Sequence, residues 1–298
     1  MITEPTALIL GAGASMPYGF PSGLELMRKI LNEIRPGQST ELSQKLTGIL
    51  GIEQDDIDYL YESLSRSGKL SIDAFLEHQR GFLRIGKLAI TLTLVQYEIE
   101  DRLFDPEMAG KSWYEYLWNK LDAPFDDFDK NELSIITFNY DRSLEHYLIT
   151  VMQNLYDKEE RLCAEKLNNI PIIHVHGKLG TLPWQGETSR PYLPRCHRKM
   201  EDISKQIIVI PEQEGASPEF EEATKLVLAA KNVYFLGFGY HPKNLGRLRA
   251  NELGGEPRGT SVGLGNVERS EIKRIWKIRT FDDYSTNLTF LKNYAFLR

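Results

Sequence analysis

Residues Ala7–Gly23, ALILGAGASMPYGFPSG, run an apolar segment straight into a turn built from Gly11, Ala12, Gly13, Ala14 and Ser15. Glycine and alanine leave backbone amides unshielded, so such a turn can set its N–H groups against a pyrophosphate, and a helix opening just after it adds a positive dipole end. A plain strand-to-helix connection reads the same residues equally well. The dinucleotide fingerprint is incomplete, because its third glycine would fall at Met16.

The rest of the chain limits what this turn belongs to. Its 298 residues suffice for one large domain with a substantial insertion. With 42 acidic against 36 basic residues the formal charge is −6, so no general basic field draws the chain to nucleic acid. Two cysteines, Cys163 and Cys196, are too few for a disulfide framework or an all-cysteine zinc site. MITEPTALIL has no basic leader, and no later run is long enough to span a membrane. These features predict a soluble, cytoplasmic protein that binds neither membrane nor nucleic acid directly.

Short runs rich in isoleucine and valine occur at 6–10, 133–138, 170–175, 207–210, 233–236 and 275–281. Such runs suit parallel strands covered on both faces. The predicted fold class is therefore α/β, a Rossmann-like parallel sheet flanked by helices. More than a hundred residues separate the first two runs, with helical spacing over 23–34, 55–65 and 72–103. That is too much for one crossover helix and predicts a large helical insertion at about 23–130, beside a core of about 1–22 and 131–298. The whole chain reads as one domain, with the insertion forming one wall of a pocket.

In such a sheet, ligands sit at the carboxyl ends of the strands. There the segment IITFNYD ends its run on Asn139 and Asp141, which either face a ligand or cap the next helix and support its first turn. The segment IIHVHG places His174 and His176 two apart, on one face if the strand continues, with Gly177 permitting a sharp turn. His176 is either a packed histidine or a proton acceptor with a pKa of about 6.5 at the ligand edge. FLGFGY offers Gly237, Phe238 and Gly239 for close approach to a ribose or phosphate, or for a tight turn.

Taken in order, GAGAS with Gly19-Phe20-Pro21, then Thr137-Phe138-Asn139-Tyr140-Asp141, then His176-Gly177, then Gly237-Phe238-Gly239, resemble the sirtuin NAD-binding domain. Ser22-Gly23-Leu24 stands where that family carries an acidic, aromatic and basic triplet, and the four-cysteine zinc module of protein deacylases cannot be built. With Ser71-Ile72-Asp73-Ala74-Phe75-Leu76 and Phe138-Asn139-Tyr140-Asp141, the chain looks more like the divergent sirtuin-like domains of prokaryotic antiviral systems. The resemblance implies an NAD hydrolase without metal, acting as an oligomer under a partner such as a DNA-translocating hexameric ATPase or a short prokaryotic Argonaute. It implies Asn139 and His176 as catalytic residues. It places Gly11, Ala12, Gly13, Ala14, Ser15, Pro21, Thr137, Asp141, Gly237, Phe238 and Gly239 against the nucleotide. A non-catalytic module binding NAD or ADP-ribose is the alternative, and a protein deacylase a more distant one.

Three further clusters carry expectations. Trp113, Tyr114, Tyr116, Leu117 and Trp118 predict a core or association helix, with association favoured. Lys243, Arg247 and Arg249 predict a solvated face or a phosphate contact. Arg190, Arg195, His197, Arg198 and Lys199, in a proline-rich stretch, predict a lid or a partner surface.

Overall fold

In the computed structural model, residues 1–186, 189–194, 199–209, 217–281 and 286–298 are described. Six strands form one sheet: β1 (Thr6–Leu10), β2 (Leu133–Thr137), β3 (Ile172–His174), β4 (Asn232–Leu236), β5 (Arg258–Thr260) and β6 (Arg279–Phe281). Their spatial order is β3-β2-β1-β4-β5-β6, and every pairing is parallel. This is the doubly wound, Rossmann-like order, in which the direction of winding reverses beside β1. The reversal opens a crevice between the chain ends leaving β1 and β4, and the glycine-rich turn lies there.

Alternation along the strands covers both faces. Leu8, Leu10, Leu133, Ile135, Tyr234 and Leu236 face the larger core, which continues without a break into the insertion. Ala7, Ile9, Ile136, Val233 and Phe235 face a second core. That second core is closed by α11 (Pro218–Ala229), α12 (Pro242–Arg247) and α13 (Asn266–Trp276). A one-turn helix, α1 (Ala12–Ser15), follows β1. The insertion then runs through α2 (Gly23–Glu33), α3 (Glu41–Gly48), α4 (Gln54–Ser65), α5 (Ile72–Leu76), α6 (Leu83–Val95) and α7 (Trp113–Leu121). After β2 come α8 (Ser143–Tyr156) and α9 (Glu160–Leu167), then α10 (Met200–Lys205) after β3, with α14 (Asn287–Tyr294) near the C-terminus. No helix among the described residues is long and apolar enough to cross a membrane.

Several expectations are corrected here. The 72–103 stretch is not one helix: α5 and α6 are separated by a short 3-10 turn at Arg80–Phe82. The 207–210 run forms no strand in its described part. Ile207 makes only an isolated antiparallel bridge with Gly177, and Ile208 N–H donates to the His176 carbonyl at 2.8 Å. Residue 210 lies outside the described residues. The last strand is shorter than predicted, since 275–276 end α13. β5 has no apolar run to announce it. It depends on Gly259, where a Cβ would lie 2.1 Å from the Tyr240 hydroxyl and 2.7 Å from the Phe235 Cβ.

The aromatic helix α7 is core rather than an association surface. Trp113, Tyr114, Leu117 and Trp118 are buried, and Tyr114 stacks on Tyr18 with centroids 3.8 Å apart. The Trp113 indole donates to the Ala14 carbonyl at 2.8 Å, so this helix buttresses the glycine-rich turn from below. Arg190 is likewise no lid residue: it is buried and paired with Glu98. Lys199 is exposed, while Arg195, His197 and Arg198 lie outside the described residues.

The glycines of the turn serve contact between two backbones. A Cβ on Gly13 would lie 2.7 Å from the Gly237 Cα, and one on Gly237, at φ +56°, would lie 2.2 Å from the Ala14 nitrogen. Gly237→Ala is therefore expected to cost about 2 kcal/mol or more, from left-handed strain compounded by the clash. Gly239→Ala, with open space at its Cβ, should stay within about 0.5 kcal/mol of the parent. Urea midpoints for the two variants check the contrast, and equal midpoints would show that the backbones yield.

Candidate functional site

At the crevice between β1 and β4 lies a cleft of about 310 Å³, bordered by Gly11 and Ala12 after β1, Asn139 and Tyr140 after β2, and His176 after β3. Phe238 and Gly239 border it after β4, and Asp73, Ala74 and Glu77 of α5 supply the wall from the insertion. A neighbouring hollow of about 100 Å³ shares Ala12, Asp73, Asn139 and Tyr140 and adds Ser15, Pro21 and Asp141. Of the residues singled out from the sequence, the first cavity gathers Gly11, Ala12, Asn139, His176, Phe238 and Gly239. The second adds Ser15, Pro21 and Asp141. Gly13, Ala14, Thr137 and Gly237 border neither: the three near the turn pack backbone against backbone, and the Thr137 hydroxyl accepts from the Asn139 N–H at 3.1 Å.

The amides of the turn are largely occupied. Gly11 N–H donates to Leu236 O at 3.0 Å, Gly13 N–H to Gly237 O at 3.0 Å and Ala14 N–H to Gly11 O at 2.8 Å. The dipole end expected there is also weak, because α1 is a single turn.

Asn139 does not cap α8, which begins from Arg142 without a side-chain cap. Instead its Nδ2 donates to Gly11 O at 2.9 Å and to Ser15 Oγ at 3.0 Å. Its Oδ1 accepts no hydrogen bond from the described residues and is the end left for a ligand. Asp141 does support the first turn of α8, accepting from Ser143 N–H at 3.1 Å, and its other oxygen accepts from Ser15 Oγ at 2.7 Å. Burial raises its carboxyl above the ordinary range, against the hydrogen bonds of Ser143 and Ser15.

The two histidines diverge, because β3 ends at His174 and the chain turns before His176. His174 points into the larger core, its Nε2 2.8 Å from Glu145 Oε1 and its Nδ1 2.9 Å from the Asn139 carbonyl. Burial would raise Glu145, but His174 and Lys178 outweigh it and hold the carboxyl at about 2. This buried pair pins the backbone that carries Asn139. His176 instead packs edge-on against Phe138 and Phe220, with centroids 5.4 and 5.5 Å away. Its Nδ1 is buried with no hydrogen-bond partner among the described residues. Burial and then the charge of Arg247 lower its pKa to about 4, against the backbone carbonyl of Ile208, which favours the protonated ring. The imidazole is thus neutral at physiological pH, and a weaker base than its ordinary value implies.

That shift makes stability pH-dependent. Folded His176 stays neutral down to about pH 4, whereas the unfolded chain takes up its proton near pH 6.5. Its contribution is therefore complete above pH 6.5, falls as pH drops through this window, and is gone below pH 4. Between pH 6.5 and 5 the loss amounts to about 2 kcal/mol. Urea midpoints at pH 7 and 5 should differ by that much more in the parent than in His176→Phe.

Asp73, within the Ser71–Leu76 motif, borders both cavities, and its carboxylate accepts from the Tyr140 hydroxyl. Burial raises it, against that hydrogen bond. The one available signal was its place in the first turn after Ser71, whose hydroxyl caps α5 by accepting from Ala74 N–H at 3.1 Å. Asn244 and His241, at the start of α12, also border the cleft and carried no signal. Among the described residues, no group of three or more His, Cys, Asp or Glu is placed to hold a metal ion.

No protein-family model matches the chain, and no curated protein matches it either.

Proposed function

We propose that this protein is an NAD+ hydrolase of the sirtuin-like, antiviral type, cleaving the nicotinamide–ribose bond to give nicotinamide and ADP-ribose. The observation that carries the reading is convergence: Asn139 and His176, far apart in the chain, border one cleft at the switch point of a doubly wound sheet. A cleft of about 310 Å³ with few polar groups and buried titratable side chains is the usual form of a small-molecule site.

In the reaction, water oxygen bonds to the ribose C1′ while the electron pair of the C–N bond leaves with the ring nitrogen, neutralising the pyridinium. The ring needs no protonation, so the protein has to position the reactants and remove a proton. The Asn139 Oδ1 accepts from the attacking water or a ribose hydroxyl, and the free Nδ1 of His176 takes the water's proton. Asp141 acts one step back, holding Ser15, which in turn meets the Asn139 amide. The 100 Å³ hollow behind Asn139, with Pro21 and Asp141 in its wall, is the place for the nicotinamide ring.

By resemblance, the protein works in the cytoplasm as an oligomer governed by a partner, a hexameric DNA-translocating ATPase or a short Argonaute. The test is incubation with NAD+, alone and with the product of a neighbouring gene, followed by separation of the products. Nicotinamide with ADP-ribose supports the reading, and an acylated ADP-ribose formed with an acyl-lysine peptide points to deacylation. The low basicity of His176 favours a second reading, a module that binds the nucleotide and regulates a partner without turnover. Tight binding with no product in the activated complex identifies it.

A further inference from the structure

On the face of the second core lies a separate cavity of about 430 Å³ that shares no lining residue with the cleft. Three cations, Lys225, Arg247 and Arg249, border it together with Thr224 and Leu228, and Glu221 is its one carboxylate among the described residues. Two of the cations have acidic partners: Lys225 lies 3.7 Å from Glu222, and Arg249 pairs with Glu252. Arg247 has no carboxylate within ion-pair distance among the described residues. Its guanidinium carbon lies over the Phe220 ring, 4.1 Å from the centroid. Thr224 Oγ1 holds the backbone beneath by donating to Arg247 O at 3.2 Å. One fork nitrogen, Nη1, is buried with no hydrogen-bond partner among the described residues. A half-buried guanidinium short of acceptors, with no carboxylate within ion-pair distance among the described residues, is a receptor for an oxyanion.

We infer that this cavity is a second ligand site, in which Arg247 binds the phosphate of a small phosphomonoester while Lys225 and Arg249 flank it. Its size admits a mononucleotide, and Leu228 gives an apolar wall for the non-phosphate part. The site abuts the cleft through one side chain, since the ring under Arg247 is the Phe220 ring that meets His176 edge-on at 5.5 Å. Discharging Arg247 is therefore felt at His176, so an occupant here regulates the cleft. The inference does not depend on turnover of NAD+.

The test is titration of inorganic phosphate and, separately, AMP into isotope-labelled full-length protein at constant ionic strength, with chloride as the control anion. Saturable shifts at Phe220, Thr224 and the His176 ring are expected, and Arg247→Met should weaken binding about tenfold or more. Arg247→Lys should restore only part, because a point charge lacks the fork. Lys225→Met, a milder surface change, should also weaken binding. Tighter binding of AMP than of phosphate marks a nucleotide monophosphate as the occupant, and equal binding marks free phosphate. The inference is overturned if chloride produces the same shifts, if Arg247→Met and Lys225→Met bind like the parent, or if AMP perturbs only Gly11 and Gly239 in the cleft.

Discussion

His176→Ala and Asn139→Ala are each expected to lower nicotinamide release from NAD+ by about a hundred- to ten-thousand-fold, the usual effect of removing a positioned acid–base or orienting group. His176→Ala is the cleaner of the two. The ring's Nδ1 has no hydrogen-bond partner among the described residues, so truncation strands none of their buried side-chain groups and mainly leaves a hollow beside Phe138 and Phe220. Asn139→Ala also removes the amide that bonds Gly11 O and Ser15 Oγ, so its fold should be checked by thermal unfolding alongside the kinetics. The reaction is followed by chromatography of nicotinamide, in the activated complex if the chain alone is silent. Parental rates in both variants would sink the catalytic assignment while leaving the fold untouched.

The largest stability effect is expected from Glu98→Ala. Glu98 is fully buried and sits between two guanidinium groups. Arg142 Nε donates to Oε1 at 2.9 Å and Nη2 to Oε2 at 2.7 Å, and Arg190 donates to Oε2 from the other side. Arg142 Nη1 donates to the carbonyls of Thr181 and Arg190 at 2.9 Å each, and Arg190 Nη1 to Leu193 O at 3.0 Å, while Arg190 Nε is buried with no hydrogen-bond partner among the described residues. Removing the carboxylate leaves two buried cations facing each other, and breaking such a pair costs about 3–5 kcal/mol. Urea unfolding measures it, with Glu98→Gln intermediate because it keeps one of the two acceptor oxygens and loses the charge. The loss should extend to the site, since Arg142 follows Asp141 directly and this cluster ties the insertion to Thr181 and Arg190. A midpoint for Glu98→Ala near the parent's would show that the cluster contributes no net stability.

The strands that build the cleft were legible because each is a short apolar run ending in glycine or a polar residue: Ala7–Gly11, Ile135–Asn139 and Val233–Gly237. A strand buried on both faces must be apolar throughout, and that is visible in one dimension. β5 was not visible, since Arg258-Gly259-Thr260 is accepted into the sheet by the space left beside Phe235 and Tyr240, a property of its neighbours. The 207–209 segment shows the converse. It has strand composition, but it lies across the exit of β3, where its apolar side chains wall the cleft beside His176.

Histidine and arginine behaved in the same way. Composition and spacing put His174 and His176 at the ligand edge, but a single turn after β3 sends one imidazole to a buried carboxylate and the other to a free position in the cleft. Arg190 resembled a surface cation in a proline-rich loop, and it is buried because Glu98, ninety-two positions earlier, lies opposite.

By itself, the sequence determined the α/β class, the parallel sheet, the insertion after β1 and the ends of the strands at which Asn139 and His176 stand, because periodicity and chain-breaking residues act locally. Only the tertiary structure decided which amides of the glycine-rich turn are already bonded, which histidine keeps a free nitrogen, that Asp73 enters the cleft, and that Arg247 backs onto its wall. Those outcomes depend on desolvation and on partners distant in the chain, and both come into being only when the two layers of helices close over the sheet.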